Sequence, residues 1–294
     1  MDLTRIPAEP DPATAHAAVA EVFGGIDSRS LALPEGADPA PVLPETGGVP
    51  GAWVTAEGVR ASAEAGVVLY VHGGGFGSRM PELISLMAHR LSRATSRPVF
   101  AVHYRLAPAH PYPEPLDDVV AVYGALLGQG VPAERIAVVG ESSGGALTLS
   151  ALLRFKESGT ALPATVVTLS PVTDLTVSGP SVDSEATNDP GVDRAVLTHL
   201  IGQYLGGARP DRAPQSPVHG ALDGLPPLLM VAGGAEALLD DTLRYAEAAS
   251  AAGTKVAVEV YEGMPHAFHI TALDDDNPTG RTVLRRTADW IAAH

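Results

Sequence analysis

The sequence predicts an α/β protein with a mostly parallel central sheet, helices on both of its faces and a helical cap. Three observations carry this. Short apolar, valine-rich runs alternate along the chain with longer stretches of helical periodicity, the pattern of a parallel sheet covered on both sides. Two of the runs end in tight glycine turns, His72-Gly73-Gly74-Gly75-Phe76 and Gly140-Glu141-Ser142-Ser143-Gly144-Gly145. One long segment, residues 174–223, interrupts the alternation and is rich in Ser, Gly, Pro and Asp.

In chain order, the first 50 residues are rich in Ala, Pro, Asp and Glu. A helix is expected over 13–23, with Ala15, Val19, Val22 and Phe23 at helical spacing. Beyond it Pro34, Pro39, Pro41, Pro44 and Pro50, with Gly47 and Gly48, argue against regular structure. This segment reads either as a loosely ordered leader or as half of a lid. Strands follow at 52–55 and 66–71, a helix at 81–93, and a buried strand at 98–103. Tyr104-Arg105-Leu106-Ala107-Pro108 breaks that strand, and Pro111, Pro113 and Pro115 lead into a helix at 116–127. A strand at 135–139 runs without a linker into the second glycine turn. The helix after it carries Leu149, Leu152, Leu153 and Phe155 on an expected apolar side. Core strands are expected at 165–169, 227–231 and 255–261, with helices at 239–249 and 282–293. The inserted segment holds one good helix, 194–205. An insertion at the C-terminal edge of such a sheet lies over the crevice where these folds bind ligands, so 174–223 is the natural second part of a cap. The division expected is therefore an N-terminal cap segment, 1–50, and a catalytic domain, 51–294, carrying the insertion.

Composition sets the outer limits. At 294 residues with 45% hydrophobic content the chain suffices for one large domain. A formal net charge of −15 argues against nucleic acid and anionic membrane surfaces as partners. With no cysteine, disulfides, thiolate nucleophiles and cysteine-ligated metals are excluded. The first residues lack the apolar core of a signal peptide, and no apolar run approaches membrane-spanning length. A cytoplasmic protein without metal or organic cofactor is expected.

The turn at Ser142 is where chemistry is expected. A serine between a strand and a helix, with glycine two residues before and two after, is held clear of the backbone at a helix N-terminus. Such a hydroxyl needs a base, an acid that orients the base, and donors for an oxyanion. The consecutive glycines after His72 can turn their N–H groups toward a substrate oxygen with no Cβ in the way. Gly74 and Gly75 are the candidates there, with the N–H of Ser143, the residue after the serine. Among 10 histidines, His266 lies in a loop after the last strand, marked by Gly263 and Pro265; His269 is its rival. The acid should follow the strand at 227–231. Glu236 stands in that loop, while Asp240 and Asp241 fall in the first turn of the next helix, where carboxylates also serve the helix dipole.

With these motifs, the chain resembles the hormone-sensitive-lipase-like bacterial esterases. The resemblance covers residues 67–294 and rests on His72 to Phe76, Tyr104 to Pro108, residues 113–118, Gly140 to Gly145 and Pro265-His266-Ala267-Phe268. It implies an α/β-hydrolase fold capped by the N-terminus and the insertion, a triad of Ser142, Glu236 and His266, oxyanion donors at Gly74, Gly75 and Ser143, and hydrolysis of carboxylic esters. It also implies dimerisation through the last strand as a possibility. Four positions depart from the family pattern: Glu141 for Asp, Ser143 for Ala, Ala109 for Glu, and Glu236-Ala237-Leu238 for Asp-Pro-Leu. Arg105 and Asp117 read as charges that hold a loop. A cap rich in Ala and Pro suggests a small to medium apolar ester or a lactone as substrate. A lactonase, acyltransferase or dehydratase could use the same residues. Receptors on this fold lack the histidine that is present here as His266.

Overall fold

The computed structural model describes residues 1–7, 12–25, 31–32, 37–38, 48–60 and 66–294. Nine strands form one sheet: β1 (Asp2–Ile6), β2 (Ala37–Asp38), β3 (Gly51–Val54), β4 (Val67–Val71), β5 (Val99–Val102), β6 (Ile136–Glu141), β7 (Thr165–Leu169), β8 (Leu228–Gly233) and β9 (Val256–Tyr261). The helices are α1 (Pro12–Phe23), α2 (Pro81–Thr95), α3 (Glu114–Gly128), α4 (Ser142–Ser158), α5 (Arg194–Leu205), α6 (Leu239–Ala251) and α7 (Pro278–Ala293). The strand order is β1-β9-β8-β7-β6-β4-β5-β3-β2. All pairings are parallel except β3 with β5 and β2 with β3.

The central strands are buried on both faces, so period-2 alternation divides one apolar run between two cores. In β4, Leu69 and Val71 face a cluster that contains Tyr123 of α3, Leu149 of α4 and Tyr245 of α6. Val68 and Tyr70 face the opposite cluster, with Met87 and Leu91 of α2 and Ile291 of α7. The order of strands reverses at β4, which lies between β5 and β6. The C-terminal ends of β4 and β6 thus open the crevice in which such sheets carry their sites, and both glycine turns emerge there.

Three expectations need correction. The helix after Ser142 is not one-sided: every residue from Ser143 to Leu152 is buried. Its first turns are closed in by the sheet, by Pro171 against Gly145 and by the insertion, whereas Leu153 is only half-buried. Two edge strands, β1 and β2, escape the sequence pattern. β1 is exposed along nearly its whole length and so shows no apolar period; its pairing with β9 covers the edge of that last strand with the chain's own N-terminus. β2 pairs with β3 inside the proline-rich stretch that argued against regular structure. Pro34, Pro39, Pro41, Pro44 and Gly47 lie outside the described residues.

Arg105 holds a loop, as expected, but through a different acid. Its guanidinium meets buried Asp118 at 2.8 Å and also contacts Glu114. Asp117 pairs instead with Arg154 at 3.2 Å. One helical step separates the two carboxylates, and only Asp118 faces inward.

The contact between α4 and β4 sets a sharp limit. A Cβ added to Gly144 would stand 2.1 Å from the Val71 carbonyl oxygen and 2.3 Å from that of His72. Because the obstacle is backbone, Gly144→Ala is expected to destabilise the fold by about 3 kcal/mol, measured by urea unfolding. An unchanged midpoint would mean that α4 can shift off the sheet.

Candidate active site

Ser142 directly follows β6 and begins α4 at φ +50°, a conformation that costs a non-glycine residue energy and lifts its side chain clear of both elements. The turn closes only with small neighbours. A Cβ at Gly140 would stand 2.4 Å from Thr148 Oγ1 and 2.7 Å from the Gly144 carbonyl oxygen. Ser142 Oγ lies 3.0 Å from Nε2 of His266.

His266 sits in the loop after β9 and is buried. Burial, and then the neighbouring His269, push its imidazole down to about 3, so it is neutral and able to accept a proton at neutral pH. Glu236 lies between β8 and α6, with Oε2 3.9 Å from His266 Nδ1. That is juxtaposition without a hydrogen bond. Oε2 accepts instead from Ser170 Oγ at 2.6 Å and from the Gly233 N–H at 3.1 Å. Glu236 Oε1 and His266 Nδ1 each have no hydrogen-bond partner among the described residues. Burial pushes the Glu236 carboxyl well above the ordinary range, and the charge of Asp189 adds to this against the pull of the two donors.

The rivals are engaged elsewhere. Asp241 accepts from the N–H groups of Thr173 and Asp174 at 2.7 and 2.9 Å, and Asp240 accepts from that of Ser181 at 2.6 Å. Both anchor the insertion. His269 pairs through Nε2 with Glu141 Oε2 at 2.9 Å.

The glycine loop after β4 holds Gly74 at φ +110° and Gly75 at φ +60°, backbone that suits glycine. The N–H groups of Gly74, Gly75 and Ser143 meet no protein acceptor among the described residues. His72 is a strut for this loop. It is buried, stacks on Tyr104 at 4.3 Å between ring centres, and its Nδ1–H donates to the Gly73 carbonyl at 2.6 Å. Burial drives it down to about 3.

Two further residues tie the site together and are not evident in the sequence. Glu141 accepts from the Gly73 N–H at 2.9 Å through Oε1 while holding His269 through Oε2, so one carboxylate joins the glycine loop to the histidine loop. Burial pushes Glu141 up, but the hydrogen bond and charge of His269 and the Gly73 donor outweigh it and hold the carboxyl at about 2. Asp189, in the insertion, accepts from the Ala237 N–H at 2.5 Å and from the His266 N–H. It fastens the acid loop and the histidine loop at once. The only signal for Glu141 is its place beside the serine; an Asp before Pro190 in a loop gave none for Asp189.

A cavity of about 490 Å³ opens over Ser142 and His266. Its walls include Val22 and Phe23 of α1 and Val196, Leu197, Leu200 and Ile201 of α5. Leu200 lies close over Gly75, where an added Cβ would meet Cδ1 at 2.5 Å.

This geometry coincides with the likeness to known proteins. Residues 68–270 match the α/β-hydrolase fold family. The chain belongs to that family, among its hormone-sensitive-lipase-like members. An acetyl-hydrolase of Streptomyces hygroscopicus is 38% identical over 73% of this chain and 72% of its own length. An esterase of Acinetobacter venetianus is 37% identical over 74% and 73%. A solved esterase of the bacterial hormone-sensitive lipase family superimposes with a TM-score of 0.86 at 32% identity, covering 97% of this chain and 98% of that one. No helix among the described residues is long and apolar enough to cross a membrane.

Asp189 supplies a direct test of the site's framework. Asp189→Ala removes an acceptor from two buried N–H groups and is expected to cost about 2–3 kcal/mol in urea unfolding. Asp189→Asn, which keeps one carbonyl acceptor, is expected to cost about half of that.

Proposed function

We propose that this protein is a carboxylic ester hydrolase in which Ser142 is the nucleophile, His266 the general base and Glu236 the acid that supports the imidazole. The observation that carries the reading is the 3.0 Å approach of Ser142 Oγ to a buried, neutral His266 Nε2 at the floor of an apolar cavity. The esterase and acetyl-hydrolase relatives support it.

In this reading Ser142 Oγ attacks the ester carbonyl carbon while its proton passes to His266 Nε2. The carbonyl oxygen takes up negative charge against the N–H groups of Gly74, Gly75 and Ser143, at the N-terminus of α4. Collapse of the tetrahedral species breaks the bond to the alcohol, which leaves with the proton from His266. Water, deprotonated by the same imidazole, then releases the acid and restores Ser142. Imidazolium formation gives Glu236 Oε2 a cationic partner at Nδ1. Closing the 3.9 Å separation is the tightening that catalytic hydrogen bonds undergo between the free enzyme and the substrate complex.

We also assign α1 and residues 174–223 to a cap, because both supply cavity wall above Ser142. A cavity of about 490 Å³ with aliphatic walls suits small to medium esters in place of long acyl chains.

The test is hydrolysis of p-nitrophenyl esters from acetate to palmitate. Turnover is expected to be highest for short and medium chains and to collapse beyond them. Ser142→Ala should lose at least about 10⁴-fold in kcat. Equal turnover of palmitate and butyrate would overturn the small-ester reading, and an active Ser142→Ala would overturn the nucleophile.

A pH profile tests the base. His266 works unprotonated, and its folded-state value lies below the ordinary 6.5 at about 3. The acid limb of kcat/KM should therefore lie well below pH 6, with kcat/KM at pH 5.5 within about twofold of that at pH 7.5. A limb near 6.5 that stays in place in Glu236→Gln would put His266 in solvent contact; one that is lost in Glu236→Gln would report ionisation of the Glu236 carboxyl, which burial raises.

A further inference from the structure

The cavity over Ser142 contains a charge that the ester chemistry does not use. Its walls are largely aliphatic, with two formally charged side chains among them, Arg79 and Glu141. Glu141 is matched by His269 and the Gly73 N–H. Arg79 has no such match. Among the described residues no carboxylate pairs with it, whereas Arg90, Arg93, Arg105, Arg194, Arg244 and Arg286 each meet an Asp or Glu. Arg97, Arg135, Arg212 and Arg281 also meet no carboxylate among the described residues; what sets Arg79 apart is its place in the wall of the cavity over Ser142.

The side chain is also fixed in place. Arg79 ends the turn between the glycine loop and α2, and that turn is fastened to the loop by the Ser78 N–H and hydroxyl, both bonded to the Gly74 carbonyl at 3.0 Å. Nη2 of Arg79 donates to the Tyr104 carbonyl. Nε is sealed from solvent with no acceptor, and Nη1 has no protein partner among the described residues. Arg79 is half-buried; burial weakens the hold of the guanidinium on its proton, against the opposing pull of Tyr104 and of Asp118, which makes no ion pair with it. Its charge depresses both His72 and His103, which places that field beside the glycine loop. A desolvated guanidinium without an anion is costly, and its planar fork matches a carboxylate.

We propose that Arg79 is a substrate-recognition residue that binds a free carboxylate on the ester, so that the preferred substrates are half-esters of dicarboxylic acids or acyloxy acids. This deepens the esterase reading and rests on it.

The experiment compares anionic and neutral esters of equal length, with the carboxylate on either side of the scissile bond. One pair is p-nitrophenyl hydrogen adipate against p-nitrophenyl hexanoate; the other is 4-acetoxybutanoate against butyl acetate. In one of the pairs, the anionic-to-neutral ratio of kcat/KM is expected to fall about tenfold or more in Arg79→Met. The loss should lie in KM for the anionic ester and exceed any loss on the neutral one, and Arg79→Lys should restore part of the preference. A ratio within twofold of the parent in both pairs overturns the proposal. So does a parallel loss on anionic and neutral esters that Arg79→Lys repairs equally, which would make Arg79 a strut for the Tyr104 carbonyl. If the parent hydrolyses no ester, the esterase reading fails, and calorimetric titration with adipate still decides the anion site: binding weakened about tenfold by Arg79→Met supports it, and equal binding overturns it.

Discussion

The close contact between the start of α4 and the ends of β4 and β6 is the constraint on which the rest of the site depends. Ser142 is held at φ +50° because the chain must turn from strand to helix with no intervening residue. It can do so only where Gly140 and Gly144 leave room, the second of them against the backbone of Val71 and His72. The same contact brings the glycine loop alongside the serine and points the unsatisfied N–H groups of the α4 N-terminus into the crevice. The position of Ser142, the N–H groups proposed as oxyanion donors and the helix dipole are therefore one feature of the backbone. The energy to hold it comes from burial of α4 from Ser143 to Leu152.

Around that turn, environment separates carboxylates that the sequence presents alike. Glu141 and Glu236 are both buried and both one loop from a histidine. Glu141 receives donors on both oxygens and stays ionised, which suits a permanent tie between loops. Glu236 receives donors on Oε2 only, the oxygen that lies 3.9 Å from Nδ1 of His266, and Oε1 has no partner among the described residues. Burial disfavours its charge, and in the proposed reaction that charge becomes favourable when the imidazole gains a proton. The same residue type thus serves as a tie in one place and as a responsive partner in the other, through the number and placement of its donors.

Much of this is legible in the sequence, and what is not has identifiable causes. The core strands are legible because strands buried on both faces need unbroken apolar runs; the pattern fails at β1, an exposed edge strand held by backbone pairing and by end contacts such as Arg5 with Glu262. The glycine turns are legible because few residues tolerate their geometry. His266 is separable from His269 by its loop, and the structure adds the reason, since His269 is taken by Glu141. Asp118 was missed in favour of Asp117 because adjacent carboxylates at a helix start differ only in the direction they face. Asp189 was missed because its role is to accept from backbone N–H groups, which any sequence supplies.

The placement of Asp189 also bears on how a cap can serve this site. A cap that only covered the cavity could vary freely as long as it stayed apolar. Here the insertion is bound to the His266 loop through Asp189 and the His266 N–H, to the Glu236 loop through Asp189 and the Ala237 N–H, and to the α6 start through Asp240 and Asp241. Gly191, two residues beyond Asp189, packs so closely on Phe23 of α1 that a Cβ there would stand 2.6 Å from its ring. The cavity wall formed by the insertion and α1 and the loops that carry Glu236 and His266 are thus one mechanical unit. A ligand that presses on Val192 or Phe23 also presses on the framework that sets the distance from Glu236 to Nδ1. That coupling gives a physical route by which filling the cavity could close the one gap the site shows at rest.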